Sequence, residues 1–133
     1  MSTVADAHLR TPRLHGPGLS VGAARTVFLD DHVHALLLVD DGVLVAVVER
    51  GDLVGVPAGA RARSVGRLAG RVAGPDDDLE ATREAMASRR QRRLAVVDAG
   101  GRLLGLLCLK RHGRGFCSAA DVAARDAERR AAG

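Results

Sequence analysis

The chain has no tryptophan, no tyrosine and two phenylalanines among its 133 residues, so aromatics make up only 2%. A protein with so few flat rings has little on which to stack bases, which argues against single-strand nucleic-acid binding on aromatic platforms. Lysine is nearly absent too. Lys110 is the single one, and the rest of the base is arginine. Net charge is +4 and the isoelectric point about 10.3. An Ala/Arg/Gly/Val-rich chain with one lysine points to GC-rich coding. The basic balance is therefore weak support for a nucleic-acid partner unless the base clusters on one face. Only two cysteines occur, Cys108 and Cys117. They have neither Cys-x-x-Cys spacing nor the number a secreted disulfide framework needs. The opening MSTVADAHLR lacks an apolar signal core, and no apolar run is long enough to span a bilayer. A reducing cytoplasm is the expected setting.

What is present is an ordinary globular balance, 47% hydrophobic and 27% charged, in a chain long enough to bury a core. The chain also repeats itself. Residues 13–52 align with 71–111: Gly16-Pro17 falls on Gly74-Pro75, Arg25 on Arg83, Phe28 on Met86 and Asp40 on Asp98. One extra residue enters at Ala99-Gly100-Gly101, after which Ala46 falls on Gly105 and Asp52 on Arg111. Self-similarity at this period means two copies of one supersecondary unit.

Each copy reads as a short apolar step (Leu14; Val72), a Gly-Pro turn, a helix and a hairpin. In the first helix Ser20 is the expected N-cap, with Val21, Ala24, Val27 and Phe28 on one face. The second helix starts in PDDDLEATREAMASR, with early acids suited to the positive end of the dipole, and Leu79, Thr82, Ala85 and Met86 facing inward. The strands, Ala35 to Val39, Val43 to Val48, Leu94 to Val97 and Leu103 to Leu109, are continuously apolar, which implies that both faces are covered. DLVGV reads as a short helical turn and AGARARS as a small-residue linker. A last helix is expected from the capping-box-like Ser118–Asp121.

LLVDDG and LAVVDAGG, each followed by a hairpin with a polar end, resemble the turn of the cystathionine-β-synthase (CBS) domain. The tandem copy in shared register, Thr11 to Leu109, resembles a CBS domain pair. The resemblance implies an α/β fold of two repeated β-α-β-β-α units packed sheet to sheet, residues 1–63 and 64–133. It further implies a free-standing regulatory module, not an enzyme, that forms a homodimer and binds an adenosine-containing ligand such as AMP, ADP, ATP or S-adenosylmethionine. The family's ribose motif, Gly-h-h-Thr/Ser-x-x-Asp (h, hydrophobic), maps onto Ala46 to Asp52 and Gly105 to Arg111. Asp52 supplies an acid that can accept hydrogen bonds from a ribose diol. Glu49 stands where a hydroxyl is expected, and its charge repels phosphate. In the second copy Cys108 replaces the hydroxyl and Arg111 the acid, so that copy loses its ribose ligand. Leu14, His15 and Val47 are the expected adenine walls. His34 and Arg92-Arg93, just ahead of the second strand of each unit, are the expected phosphate contacts. Arg89 and Arg90 read as a solvated helix end.

Two alternatives rest on other residues. Cys117, beside the expected last helix and near His112, Arg111 and Arg114, has surroundings that depress a thiol pKa, the setting of a redox switch. A pair whose ligand sites have decayed would instead act as a dimerisation or protein-interaction module, with an unidentified protein partner. His32 and His34 lie two apart, but no established metal-ligand spacing surrounds them. No nucleophile elbow, phosphate-cradling glycine loop or carboxylate pair occurs.

Overall fold

The computed structural model describes residues 2–9 and 12–118. The helix expected from Ser118 onward lies outside them. Six strands and two helices alternate in the order expected: β1 (Leu14–His15), α1 (Val21–Val27), β2 (Ala35–Asp40), β3 (Val43–Glu49), then β4 (Val72–Ala73), α2 (Leu79–Ser88), β5 (Arg93–Val97) and β6 (Leu103–Cys108). They form two three-stranded sheets, β1-β2-β3 and β4-β5-β6. In each sheet the first two strands are parallel, joined by the helix, and the last two form a hairpin. The short helical turn read in DLVGV is a 3-10 turn set slightly earlier, Arg50–Leu53, and the segment read as a linker holds a second, Ala62–Ser64. Pro57 and three nearby glycines, Gly51, Gly55 and Gly59, disfavour anything longer.

Local chemistry explains the boundaries. The Ser20 side chain accepts the Ala23 N–H, and Asp78 accepts the Ala81 N–H, capping α1 and α2. Asp41 and Gly42 both have positive φ, 49° and 81°. That is the two-residue turn whose twist suits a hairpin. In the second copy the extra residue is absorbed by Asp98, whose Oδ1 accepts from Gly100 N and Arg102 N. Both hairpins carry a register shift at the same place in the repeat, Leu38/Val39 and Val96/Val97. Arg25 donates to the Leu53 and Val56 carbonyls, and its counterpart Arg83 donates to the Gly113 carbonyl. Each helix is thus tied to the loop after its third strand.

The apolar residues form three layers. Leu36, Leu38, Ala46 and Val48 pack under α1 with Phe28. Leu94, Val96 and Leu107 pack under α2 with Met86. Between the sheets Leu37, Leu44, Val47 and Ala95 form the shared layer, flanked by Val72, Val97, Leu103 and Leu106. Both faces of each sheet are therefore covered. Ala85, expected inward, is exposed; Ala87 takes the place beside Met86.

The halves are laced together. The two hairpin turns pair, through Leu44 N–H to Gly101 O and Leu103 N–H to Gly42 O. The leading arm crosses onto the second half: Val4 is fully buried with Met86 and Leu107, and Leu9 exchanges two backbone bonds with Leu106. Arg67, which leads into the second half, exchanges two with Val47 of the first. AGARARS, read as a linker, packs against α1, with Ala62 buried.

The arm fits because residue 105 is glycine. A Cβ there would lie 2.3 Å from Leu9 O and 2.7 Å from the His8 ring. Backbone cannot yield as a side chain can, so Gly105→Ala is expected to destabilise the fold by about 1–3 kcal/mol. Urea denaturation measures this, and faster amide exchange at Leu9 would locate it.

Candidate functional site: two arginine-lined clefts

Among the described residues, two clefts related by the repeat open between the halves. The first, of about 490 Å³, has Glu49, Arg50 and Gly51 on one wall. Arg67 and Arg71 line its floor, and the α2 exit from Arg89 through Arg93 lines the opposite wall. Seven arginines face it and its largest wholly apolar side chain is Ala69. The second, of about 460 Å³, is lined by Asp31, His32, Arg92, Lys110, Arg111 and Cys117. His34 and Arg92 line both.

Asp52 sits beneath the first cleft with its oxygens engaged. Arg71 donates to Oδ2 at 2.6 Å and to Oδ1 at 3.0 Å, and Glu49 N–H donates to Oδ2 at 2.8 Å. Arg67 lies 3.9 Å away. Arg71 also reaches Glu49 Oε1 at 3.0 Å and donates to Val47 O at 2.8 Å. Arg71 is only 6% exposed, and the Asp52 side chain only 8%. Asp52 therefore caps its turn and holds an interior guanidinium. Burial pushes the Asp52 carboxyl up, but the Arg71 hydrogen bond, the Glu49 N–H and the charges of Arg71 and Arg67 outweigh it, leaving it below its ordinary value. The repeat places Arg13 opposite Arg71 and Arg111 opposite Asp52. Both Arg13 and Arg111 are exposed.

His34 is held neutral. Burial first, then the charges of Arg93, Arg92 and Arg50 and a contribution from His32, lower its pKa to about 4. Arg50 is itself fixed, donating to the Phe28 and Val33 carbonyls over the Phe28 ring. Arg92 donates from Nε to Leu109 O, and Gln91 to Gly70 O.

Of the residues the sequence suggested, Glu49, His34, Arg92 and Arg93 meet at the first cleft. Val47 does not line it; it is buried in the shared layer. Leu14 and His15 lie on β1 and line neither cleft. His15 Nε2 is buried with no hydrogen-bond partner among the described residues, and burial, then Arg13, lowers its pKa. Cys117 lines the second cleft yet is 7% exposed, its N–H bonded to Cys108 O across an antiparallel pairing. Arg89 and Arg90, read as a solvated end, face the first cleft. Arg71 and Arg67 were not singled out. The one sequence signal was that a carboxylate expected near a strand end needs a cation, and the repeat offered Arg71. Among the described residues no group of three His, Cys, Asp or Glu is placed to hold a metal. No helix among them is long and apolar enough to cross a membrane.

This architecture is that of a CBS domain pair: residues 71–111 match the CBS domain family model, and solved CBS pairs share the whole fold. CBSX2, solved in complex with AMP, is 25% identical over 95% of this chain and 98% of its own, with a TM-score of 0.65. The CBS pair domain of the putative Mg2+ transporter SO5017 from Shewanella oneidensis MR-1 is 20% identical over 94% and 72%, with a TM-score of 0.71. The cytosolic domain of the Mg2+ channel MgtE, solved with ATP, is 20% identical with a TM-score of 0.64. The match covers 80% of this chain, which spans 45% of that one. No curated protein sequence matches the chain.

Removing Arg71 leaves two acids around a buried gap. Arg71→Met is expected to destabilise by about 3–5 kcal/mol, read by denaturant melts. The titrations have opposite origins and the same sign. Asp52, with its pKa depressed, contributes stability above its ordinary 3.8 that is lost as pH falls through its lower folded value. The unfolded chain protonates His34 near 6.5 and the folded chain only near 4, so stability also falls between those values on acidification. The Tm of His34→Asn should accordingly fall less from pH 6.5 to 4 than that of the native chain.

Proposed function

We propose that this chain is a non-catalytic regulatory module that binds a phosphate-bearing ligand between its halves, an adenine nucleotide being the natural candidate. The observation that carries this is the concentration of arginine on the first cleft around a neutral histidine. Guanidinium groups are suited to bidentate phosphate contacts. The AMP and ATP complexes of CBSX2 and the MgtE domain support the reading by likeness of fold. S-adenosylmethionine is the poorest of the ligands considered, because it brings a sulfonium cation and no phosphate to a cationic cleft. Binding would shift the relative arrangement of the halves, and a regulated partner would read that shift. In a homodimer, Leu29 and Val54 are natural contacts, since both are 81% exposed beside α1 and the turn after β3.

A second reading, an interaction module without a nucleotide, is favoured by one observation: Asp52 is already committed to Arg71. Thermal shift against AMP, ADP, ATP and S-adenosylmethionine separates the two. A ligand at 100 times its Kd should stabilise by about 2.7 kcal/mol, with the largest effect from ATP and a loss of binding at high salt. Histidine NMR should show the His34 pKa rising when an anion occupies the cleft. No shift with any nucleotide at millimolar concentration would exclude the nucleotide reading.

A further inference from the structure

Resting on the reading of the first cleft as the ligand site, we infer that recognition there is by phosphate alone: the ligand class is a compact oligophosphate anion, with neither ribose nor base required. Three observations converge. First, neither repeat leaves its motif acid open to a ribose diol. Asp52 accepts from Arg71 at both oxygens and from Glu49 N–H, and its counterpart is Arg111. Glu49, the acid on the first wall, holds the same arginine at 3.0 Å.

Second, the first cleft has no seat for a base. Small-molecule sites are mostly apolar with a few fixed polar groups, but this one is mostly guanidinium, with nothing apolar larger than Ala69.

Third, one of its arginines is held at a conformational cost. The C-terminus of α2 closes with Gln91 N–H on Met86 O and Arg90 N–H on Ala87 O. This is the pair of hydrogen bonds of a helix end whose left-handed position is ordinarily glycine. Here that position is Arg90, at φ 55°. Neither Arg89 nor Arg90 makes a side-chain hydrogen bond or ion pair among the described residues. A residue in the left-handed region that faces a cleft without a side-chain hydrogen bond or ion pair among the described residues is the kind of outlier that function maintains.

The test is calorimetric titration of the full chain with tripolyphosphate, ATP, AMP and adenosine at one low ionic strength. Tripolyphosphate should bind within about threefold of ATP, AMP more weakly, and adenosine not at all. Arg90→Gly should raise Tm by relieving the left-handed arginine and weaken both polyanions by about three- to tenfold. Asp52→Asn should leave ATP and tripolyphosphate within about threefold of each other. If that variant does not fold, the ligand series on the native chain decides. Tripolyphosphate tenfold or more weaker than ATP, or adenosine binding as well as ATP, would overturn this inference while sparing the nucleotide module. A single-stranded oligonucleotide outcompeting tripolyphosphate would overturn it in favour of nucleic acid. Failure of every one of these anions to bind would overturn both proposals.

Discussion

The buried guanidinium of Arg71 is the point around which the molecule is organised. It stands at the start of the second half and binds three groups of the first: the Asp52 carboxylate, the Glu49 carboxylate and the Val47 carbonyl. A buried charge is tolerated only when it is paired and its donors are satisfied, and here both conditions are met across the junction of two repeats. The pairing fixes how the sheets meet, and it decides the chemistry above them. With Asp52 and Glu49 turned to Arg71, the surface of the first cleft is left to the remaining arginines.

The two copies have therefore diverged in charge more than in shape. Bulges, helix ties and turn contacts recur at matching positions. Asp52 and Arg71 of one junction correspond to Arg111 and Arg13 of the other. A pair that cancels in one half becomes two exposed cations in the other. The chain carries a net charge of only +4, yet nine of its twenty basic residues line the two clefts. Concentration of one sign in a concave surface raises the local density of counter-charged solutes well beyond what net charge implies.

Much of this was legible in the sequence because the signals are local. The repeat, the Ser20 cap, the Asp41-Gly42 turn and the doubly covered strands each depend on neighbours within a few residues. The arm was illegible because Val4 and Leu9 find their partners far along the chain, at Asp77, Met86 and Leu106. The site was half legible. His34 and Arg92 directly precede a strand in each copy and Arg93 opens one, and their position follows from strand direction. The fate of Asp52 did not follow, since Arg71 reaches it only after the halves pack. Arg89 and Arg90 looked like a solvated helix end, and they are exposed. What no local pattern conveyed is that the helix ends at the rim of a cleft.

The crossed leading segments give the duplication a topological consequence. Leu9 completes the edge of the second sheet, and Arg67 completes the edge of the first. Each copy thus lends its first residues to the other, as two people with linked arms each support the other's weight. A single copy cut free would expose an unpaired strand edge. The nearest replacement would be the leading segment of another molecule, the same exchange made between chains. Fusion of two copies in one polypeptide turns that intermolecular exchange into an internal one, at a fixed stoichiometry of one arm to one edge.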